Sequence, residues 1–151
     1  KRFVESTAAY TVISYLLGVG DRHKHNFMVT TKGMFFHIDY GYVLGLNPNS
    51  ICMRAHLRLT KQMVAFMGGL DSDGYRDFKH LMIKIFHCLR RRYSIIMRML
   101  LLLAEADPVI EDGRYSRSLV EAEIVSRFAP DKKDKDAEQA FLRRLESDAD
   151  D

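Results

Sequence analysis

Two short runs of β-branched and aromatic residues, Phe27 to Thr30 and Met34 to Ile38, flank Thr31-Lys32-Gly33. The other apolar residues of the chain recur mostly at helical spacing, so this is the feature that most limits the fold. It reads as an antiparallel hairpin, with Gly33 supplying the positive φ of the turn. Polar residues bracket it. Asp21-Arg22-His23-Lys24-His25-Asn26 leads into the first strand, and Asp39-Tyr40-Gly41 follows the second. Asn26 and Asp39 lie almost equally far from the turn, so strand pairing is expected to bring both to the open end. One carboxylate and one amide oxygen at a shared mouth suit Mg²⁺, which takes few protein ligands and completes its shell with phosphate and water.

The spacing points the same way. Asp21 precedes Asn26 by five positions, as the aspartate precedes the asparagine in the motif H-R-D-x-x-x-x-N. Asp39-Tyr40-Gly41 has the shape of D-F-G, whose aspartate holds Mg²⁺. Either half alone reads as an Asp/Asn-rich loop beside an ordinary hairpin. Both together read as a split phosphoryl-transfer site.

At 151 residues and 47% hydrophobic, the chain can bury one core and is most simply one domain. Its most apolar stretch, Ile95 to Ala104, is too short to span a bilayer and carries Arg98. No secretory signal opens the sequence, and Lys1-Arg2-Phe3-Val4-Glu5 begins as if inside a longer protein. Cys52 and Cys88 form no C-x-x-C and imply no disulfide framework, which fits an intracellular protein. A net charge of +3 is too mild to argue for nucleic acid; it permits contact with an anionic membrane without requiring it. The eight methionines read as soft core filler.

The rest of the chain reads as helices. Glu5 to Leu17 carries Val4, Ala8, Val12 and Tyr15/Leu16 on one face, and Gly18 is placed to end it. Residues 41–59 have little periodicity and contain Gly45, Asn47, Pro48, Asn49 and Ser50, a long loop of the kind that is usually functional. Thr60 is expected to cap a short helix with Met63, Val64 and Met67 inward, stopped by Gly68-Gly69. From Asp71 or Ser72 a longer helix carries Tyr75, Phe78, Leu81/Met82, Ile85 and Leu89. Arg90-Arg91-Arg92 falls at its end and reads as a solvated terminus favoured by the helix dipole. Tyr93 to Ala106 is apolar nearly all round, which predicts a central helix, ended by Asp107-Pro108. Ser118 and Glu121 suggest a capping box for a helix with Val120, Ile124 and Phe128. Lys132 to Asp136 reads as a charged linker, Ala137 to Leu145 as a last amphipathic turn or two, and Ser147 to Asp151 as a frayed acidic tail.

The whole pattern resembles the phosphatidylinositol 3-/4-kinase superfamily, and within it most closely the class III phosphatidylinositol 3-kinases. The matching words are Tyr15-Leu16-Leu17-Gly18-Val19-Gly20-Asp21-Arg22-His23 with Asn26, Phe36-His37-Ile38-Asp39, and Gly41-Tyr42. Further likeness lies in Leu59-Thr60-Lys61-Gln62-Met63-Val64, Met67-Gly68-Gly69, Leu89-Arg90-Arg91 and Tyr93-Ser94, and it fades after about Ala106. The resemblance implies a mainly α fold with a small β-hairpin, the C-terminal lobe of a protein-kinase-like fold, over a single partial domain, 1–151. Within it, 18–26 would be the catalytic loop, 39–41 the metal-binding D-x-G, 39–59 the activation segment and 60–147 the helical remainder.

The implied activity is ATP-dependent phosphorylation of phosphatidylinositol at the inositol 3-hydroxyl. Because the triplet here is Asp21-Arg22-His23, the reverse of H-R-D, His23 is the better general base. An unperturbed imidazole has a pKa of about 6.5 and is available neutral at cellular pH. Asp21 would orient it or stabilise its protonated form, as a triad aspartate does. Asn26 and Asp39 would hold the Mg²⁺, or Mn²⁺, that bridges the phosphates of ATP. Arg22 reads as a loop-holding cation ahead of a direct phosphate contact. A structural hydrogen bond is expected of His37, a variable loop position is expected at His25, and no role is assigned to His56, His80 or His87.

Tyr40 stands where D-F-G has phenylalanine, and Tyr42 where class I enzymes usually carry a second histidine, which favours class III. The activation segment holds Arg54, His56 and Arg58 but no run of lysines, and it lacks the family's proline-rich stretch. Phosphorylated inositol lipids call for more cationic donors, so this points to unphosphorylated phosphatidylinositol. No glycine-rich loop, strand lysine or partner glutamate helix precedes Lys1, so the N-lobe is read as absent, and the chain as a piece of a larger enzyme with little activity alone. The resemblance also implies a pseudokinase-like regulatory subunit, Beclin-type subunits, and a cytoplasmic protein lying peripherally on endosomal or autophagic membranes, with no transmembrane segment. A phosphatidylinositol 4-kinase, a protein kinase of the same superfamily and a non-catalytic remnant that binds proteins through its helices stay open as alternatives.

Overall fold

The computed structural model describes residues 1–45, 59–106 and 117–149. Among them are six helices and one two-stranded sheet: α1 (Arg2–Leu16), β1 (Phe27–Val29), β2 (Phe35–His37), α2 (Lys61–Phe66), α3 (Asp73–Arg90), α4 (Tyr93–Ala106), α5 (Arg117–Phe128) and α6 (Asp134–Ala149). The fold is mainly α with a small antiparallel hairpin, as the sequence implies.

α1 is the hub. It packs most extensively on α3 and also meets β2 and α5. Ala8, Val12 and Leu16 are buried, and so are Thr7, Thr11 and Ser14. A helix buried on more than one side has a weak amphipathic pattern, which suits a rod held between a hairpin and a second helix. It starts at Arg2, three residues earlier than periodicity suggests, and ends where Gly18 takes a φ of +57°. The hairpin lies against α1 through two hydroxyls. Phe35 N donates to Ser6 Oγ at 2.9 Å, and Ser14 Oγ meets His37 Nδ1 at 2.8 Å. The Phe35 ring stands edge-on to Phe3 and to Tyr10.

The hairpin registers Phe27 with His37, Met28 with Phe36 and Val29 with Phe35. The turn closes through Thr30 N to Met34 O at 2.8 Å and Gly33 N to Thr30 O at 2.9 Å, with Gly33 at φ +75°.

The remaining helices close the core behind α1 and α3. Thr60 Oγ1 accepts from Met63 N and caps α2; Ser72 Oγ accepts from Tyr75 N and caps α3. Tyr75, Phe78, Met82 and Phe86 form the buried stripe of α3, so Phe86 takes the place expected of Ile85 and Leu89, which are only partly buried. Phe86 stacks on Phe141 of α6 with ring centroids 4.7 Å apart. Val120, Ile124 and Phe128 of α5 are fully enclosed, as their spacing predicts.

Five expectations need correction. α4 is not central: Met97 and Leu101 are buried, but Ile95, Met99, Leu102 and Leu103 are more than half exposed. It meets chiefly α5, so a helix apolar all round keeps one apolar side in solvent. Ser118 lies inside α5, not at its cap, because the helix already begins at Arg117. Residues 132–136 are not a linker, since α6 begins at Asp134 and its first turn holds Asp134 and Asp136, where carboxylates favour the helix dipole. That helix runs 16 residues, well beyond one or two turns. Arg90 is not a solvated helix end. Its guanidinium donates to the carbonyls of Phe128, Ala129 and Lys132 and pairs with Asp134, tying α3 to the start of α6.

Cys88 is a free, exposed thiol. Among the described residues no helix is long and apolar enough to cross a membrane. Cys52, Arg54, His56, Arg58, most of the stretch 39–59 expected to be the activation segment, and Asp107-Pro108 lie outside the described residues.

Candidate active site

The segment after α1 cannot continue as helix, because Gly18 turns the chain back. Residues 17–20 then run beside residues 42–45. Leu44 N donates to Leu17 O at 2.7 Å, Gly45 N to Gly18 O at 2.8 Å and Gly20 N to Tyr42 O at 2.8 Å. The start of the Asp21 loop and the stretch after Asp39-Tyr40-Gly41 are thereby neighbours.

Both motif aspartates take the left-handed conformation, Asp21 at φ +51° and Asp39 at +62°. Such a backbone costs most residues roughly 1–2 kcal/mol, and aspartate tolerates it better than most because its short side chain bonds locally. Asp39 shows this: its Oδ1 accepts from Gly41 N at 3.0 Å. The turn at Asp39 also ends the strand alternation after His37. Asn26 consequently faces Ile38 across the hairpin, its carbonyl accepting from Ile38 N at 3.0 Å, and Asp39 lies one position further on.

Arg22 is the link between the halves. It is buried, its Nε donates to Gly20 O at 2.7 Å, and its Nη2 donates to the main-chain carbonyl of Asp39. Its guanidinium also lies over the Tyr40 ring, 5.6 Å from the centroid. Burial lowers its pKa from the usual arginine value, while Tyr40, Asp21 and Asp39 oppose that. The Tyr40 hydroxyl, which has no counterpart in phenylalanine, donates to His37 O at 3.3 Å. Its pKa is raised, chiefly by burial.

Asn26 is buried at the entry to β1, and its Nδ2 donates to Asp21 O at 2.7 Å. With the amide nitrogen turned into the loop, the amide oxygen is the atom able to meet a cation. His23 is exposed. Its Nε2 stands 3.7 Å from Asp21 Oδ1, and its Nδ1 accepts from His25 N at 3.2 Å, capping the short 3-10 turn Lys24–Asn26. That bond leaves the Nε2 proton toward Asp21 and the lone pair on Nδ1. His37 is buried, held by Ser14 and stacked 4.8 Å from the Phe27 ring. Burial, with a smaller push from Arg22, lowers its pKa to about 4, so it is neutral at cellular pH.

The structure thus joins Asp21, Arg22, His23, Asn26, Asp39, Tyr40, Gly41 and Tyr42 through one network of loop and main-chain bonds; Arg54 and Arg58 are not among the described residues. Among the described residues no three His, Cys, Asp or Glu side chains cluster to hold a metal by themselves. An amide oxygen at Asn26 and a largely exposed carboxylate at Asp39 suit an ion that keeps most of its shell as water and phosphate.

Motif analysis missed Glu123 and Arg127, which press on the same ground from α5. Arg127 Nη1 donates to Tyr15 O at 2.9 Å. Its pairing with Glu123 at i,i+4 is a legible signal, but only of a local helix pair.

An aspartate loop, a hairpin and a D-x-G turn carried on a bundle of helices define the C-lobe of a protein-kinase-like fold. Residues 1–111 match the family described as Phosphatidylinositol 3- and 4-kinase, and the chain belongs to that family. It is 37% identical over 139 residues to "Phosphatidylinositol 3-kinase pik3" of Schizosaccharomyces pombe, an alignment covering 92% of this chain and 17% of that protein. It is 41% identical over 97 residues to "Phosphatidylinositol 3-kinase VPS34" of Candida glabrata, covering 64% of this chain and 11% of that one. It is also 34% identical over 140 residues to the "Probable phosphatidylinositol 4-kinase STT4 homolog" of Encephalitozoon cuniculi, covering 93% and 10%. The chain therefore spans no more than about a sixth of the curated relatives it matches.

Proposed function

We propose that this chain serves as the C-lobe of a lipid kinase that phosphorylates phosphatidylinositol at the inositol 3-hydroxyl, with ATP as phosphoryl donor. The supporting observation is the Arg22 bridge from Gly20 O to Asp39 O, which puts the Asp21 loop beside the D-Y-G turn. In this reading His23 takes the hydroxyl proton as the inositol oxygen attacks the γ-phosphorus and the bond to ADP breaks. Its Nδ1 lone pair becomes available when the long bond from His25 N opens. Asp21 stabilises the imidazolium that forms. Asn26 and Asp39 hold the metal ion, which when bound neutralises charge on the phosphates. Arg22 acts on the loop through Asp39 O. Tyr40, Gly41, Tyr42, Arg54 and Arg58 belong, in this reading, to the activation segment that selects the lipid substrate. An N-lobe supplied by the full-length protein completes the ATP site, so the chain alone turns over little or no substrate. The class III setting implies pseudokinase-like and Beclin-type subunits and peripheral binding to endosomal or autophagic membranes.

A relative named as a probable 4-kinase keeps the 4-hydroxyl as a second reading. Incubating the full-length protein with ATP and phosphatidylinositol, phosphatidylinositol 4-phosphate or a protein acceptor, then identifying the product, separates the readings. Phosphatidylinositol 3-phosphate is the expected product. The 4-phosphate isomer assigns the chain to the second reading, a phosphoprotein to the superfamily's protein kinases, and no product to a non-catalytic role.

A further inference from the structure

Glu123 and Arg127 lie on α5, past the residues 1–111 that match the family description. Arg127 is 7% exposed. Its Nη1 donates to Tyr15 O at 2.9 Å, its guanidinium lies 5.5 Å from the Tyr15 ring centroid, and its Nε and Nη2 both donate to Glu123 Oε1. Tyr15 is in the last turn of α1, immediately before the loop. The same pair closes on two glycines. A Cβ at Gly18 would stand 2.6 Å from Gly45 N and 3.3 Å from Arg127 Nε, and one at Gly45 would stand 3.1 Å from Glu123 Cγ. Both glycines have positive φ, so neither position accepts a side chain without strain.

The carboxylate and guanidinium are therefore packed against the place where Leu44 N and Gly45 N bond to Leu17 O and Gly18 O. Arg127 is buried and Glu123 partly so, and an ion pair taken out of water adds little net stability compared with apolar residues of the same volume; what a forked guanidinium adds is a fixed geometry. We infer that Glu123 and Arg127 are positioning residues. They brace the end of α1 against Gly45 and so set the separation between the His23 loop and the Asp39 turn. This rests on the reading of those two segments as the phosphoryl-transfer site. α5 would then be part of the catalytic machinery's support, and a shift of α5 would be felt at both segments.

Amide hydrogen exchange on the 151-residue chain tests the brace without any assay of turnover. Arg127→Met keeps the side-chain bulk and removes the fork. The expected result is exchange at Leu44 and Gly45 faster by about tenfold or more, with Met82 and Phe86 in α3 unchanged and Arg127→Lys intermediate. In the full-length protein the same substitution should lower kcat by about tenfold or more while KM for ATP stays within about twofold, because misplacement of reacting groups acts on the chemical step. Glu123→Gln carries the same readouts if Arg127→Met does not fold. Unchanged exchange at Leu44 and Gly45, or an equal rise throughout α3, overturns the inference. Absence of turnover in the unaltered full-length protein counts against the kinase reading and leaves the exchange result to judge the brace.

Discussion

Ser14 Oγ and His37 Nδ1 meet at 2.8 Å across the seam between α1 and the hairpin, both side chains buried. The imidazole is neutral there, with its pKa lowered to about 4 by burial first and Arg22 second. The unfolded chain holds the ordinary value near 6.5, so between these pH values it binds more protons than the folded one. Stability from this site is full above about pH 6.5 and is lost as pH falls toward 4, by roughly 3 kcal/mol in all. Urea unfolding at pH 7 and pH 4.5 should show a smaller pH dependence for His37→Gln than for the unaltered chain. Equal dependence would mean that His37 is not buried neutral.

Arg90 should behave as a structural residue. Arg90→Ala removes the guanidinium donor from the carbonyls of Phe128, Ala129 and Lys132, of which Ala129 O keeps its bond from Lys132 N. The expected cost is about 2–3 kcal/mol in denaturant unfolding, against well under 1 kcal/mol for Arg91→Ala and Arg92→Ala, which are exposed.

α4 offers a direct comparison of its two sides. Leu101→Ala, at a buried position, should cost about 2–4 kcal/mol. Leu102→Glu, next to it but 64% exposed, should change the unfolding free energy of the chain by no more than about 0.5 kcal/mol. A large loss for Leu102→Glu would return α4 to the core.

Asp39→Asn separates chemistry from folding. The carboxylate is exposed, and the local bond it accepts from Gly41 N can be kept by an amide oxygen. The melting temperature should hold within a few degrees, while phosphoryl transfer by the full-length protein falls by about 10²-fold or more with the metal site weakened. Partial rescue by Mn²⁺ over Mg²⁺ would identify the metal as the point of loss, since Mg²⁺ demands near-ideal octahedral geometry and gives up water reluctantly.

The hairpin, the caps at Thr60 and Ser72 and the buried stripes at Val120, Ile124 and Phe128 were legible because each is a local pattern with one physical solution. α4 misled because all-round hydrophobicity says that a helix has apolar sides, not which of them finds a neighbour. Arg90 and the charged start of α6 misled for the converse reason: charge reads as solvent until the fold brings carbonyls within reach. The Asp21 loop and the D-Y-G turn were visible as words with fixed spacing. The left-handed backbone at both aspartates was not, nor was the Arg127 contact with Tyr15, 112 residues away in sequence. Long-range contacts through a single arginine leave no period for a sequence to show.

His23 carries the proposed proton transfer. In the full-length protein, His23→Ala should reduce the rate of phosphatidylinositol phosphorylation by about 10²-fold or more, the usual scale of a lost general base, while ATP binding stays unchanged. A variant that phosphorylates the lipid at the original rate would contradict it.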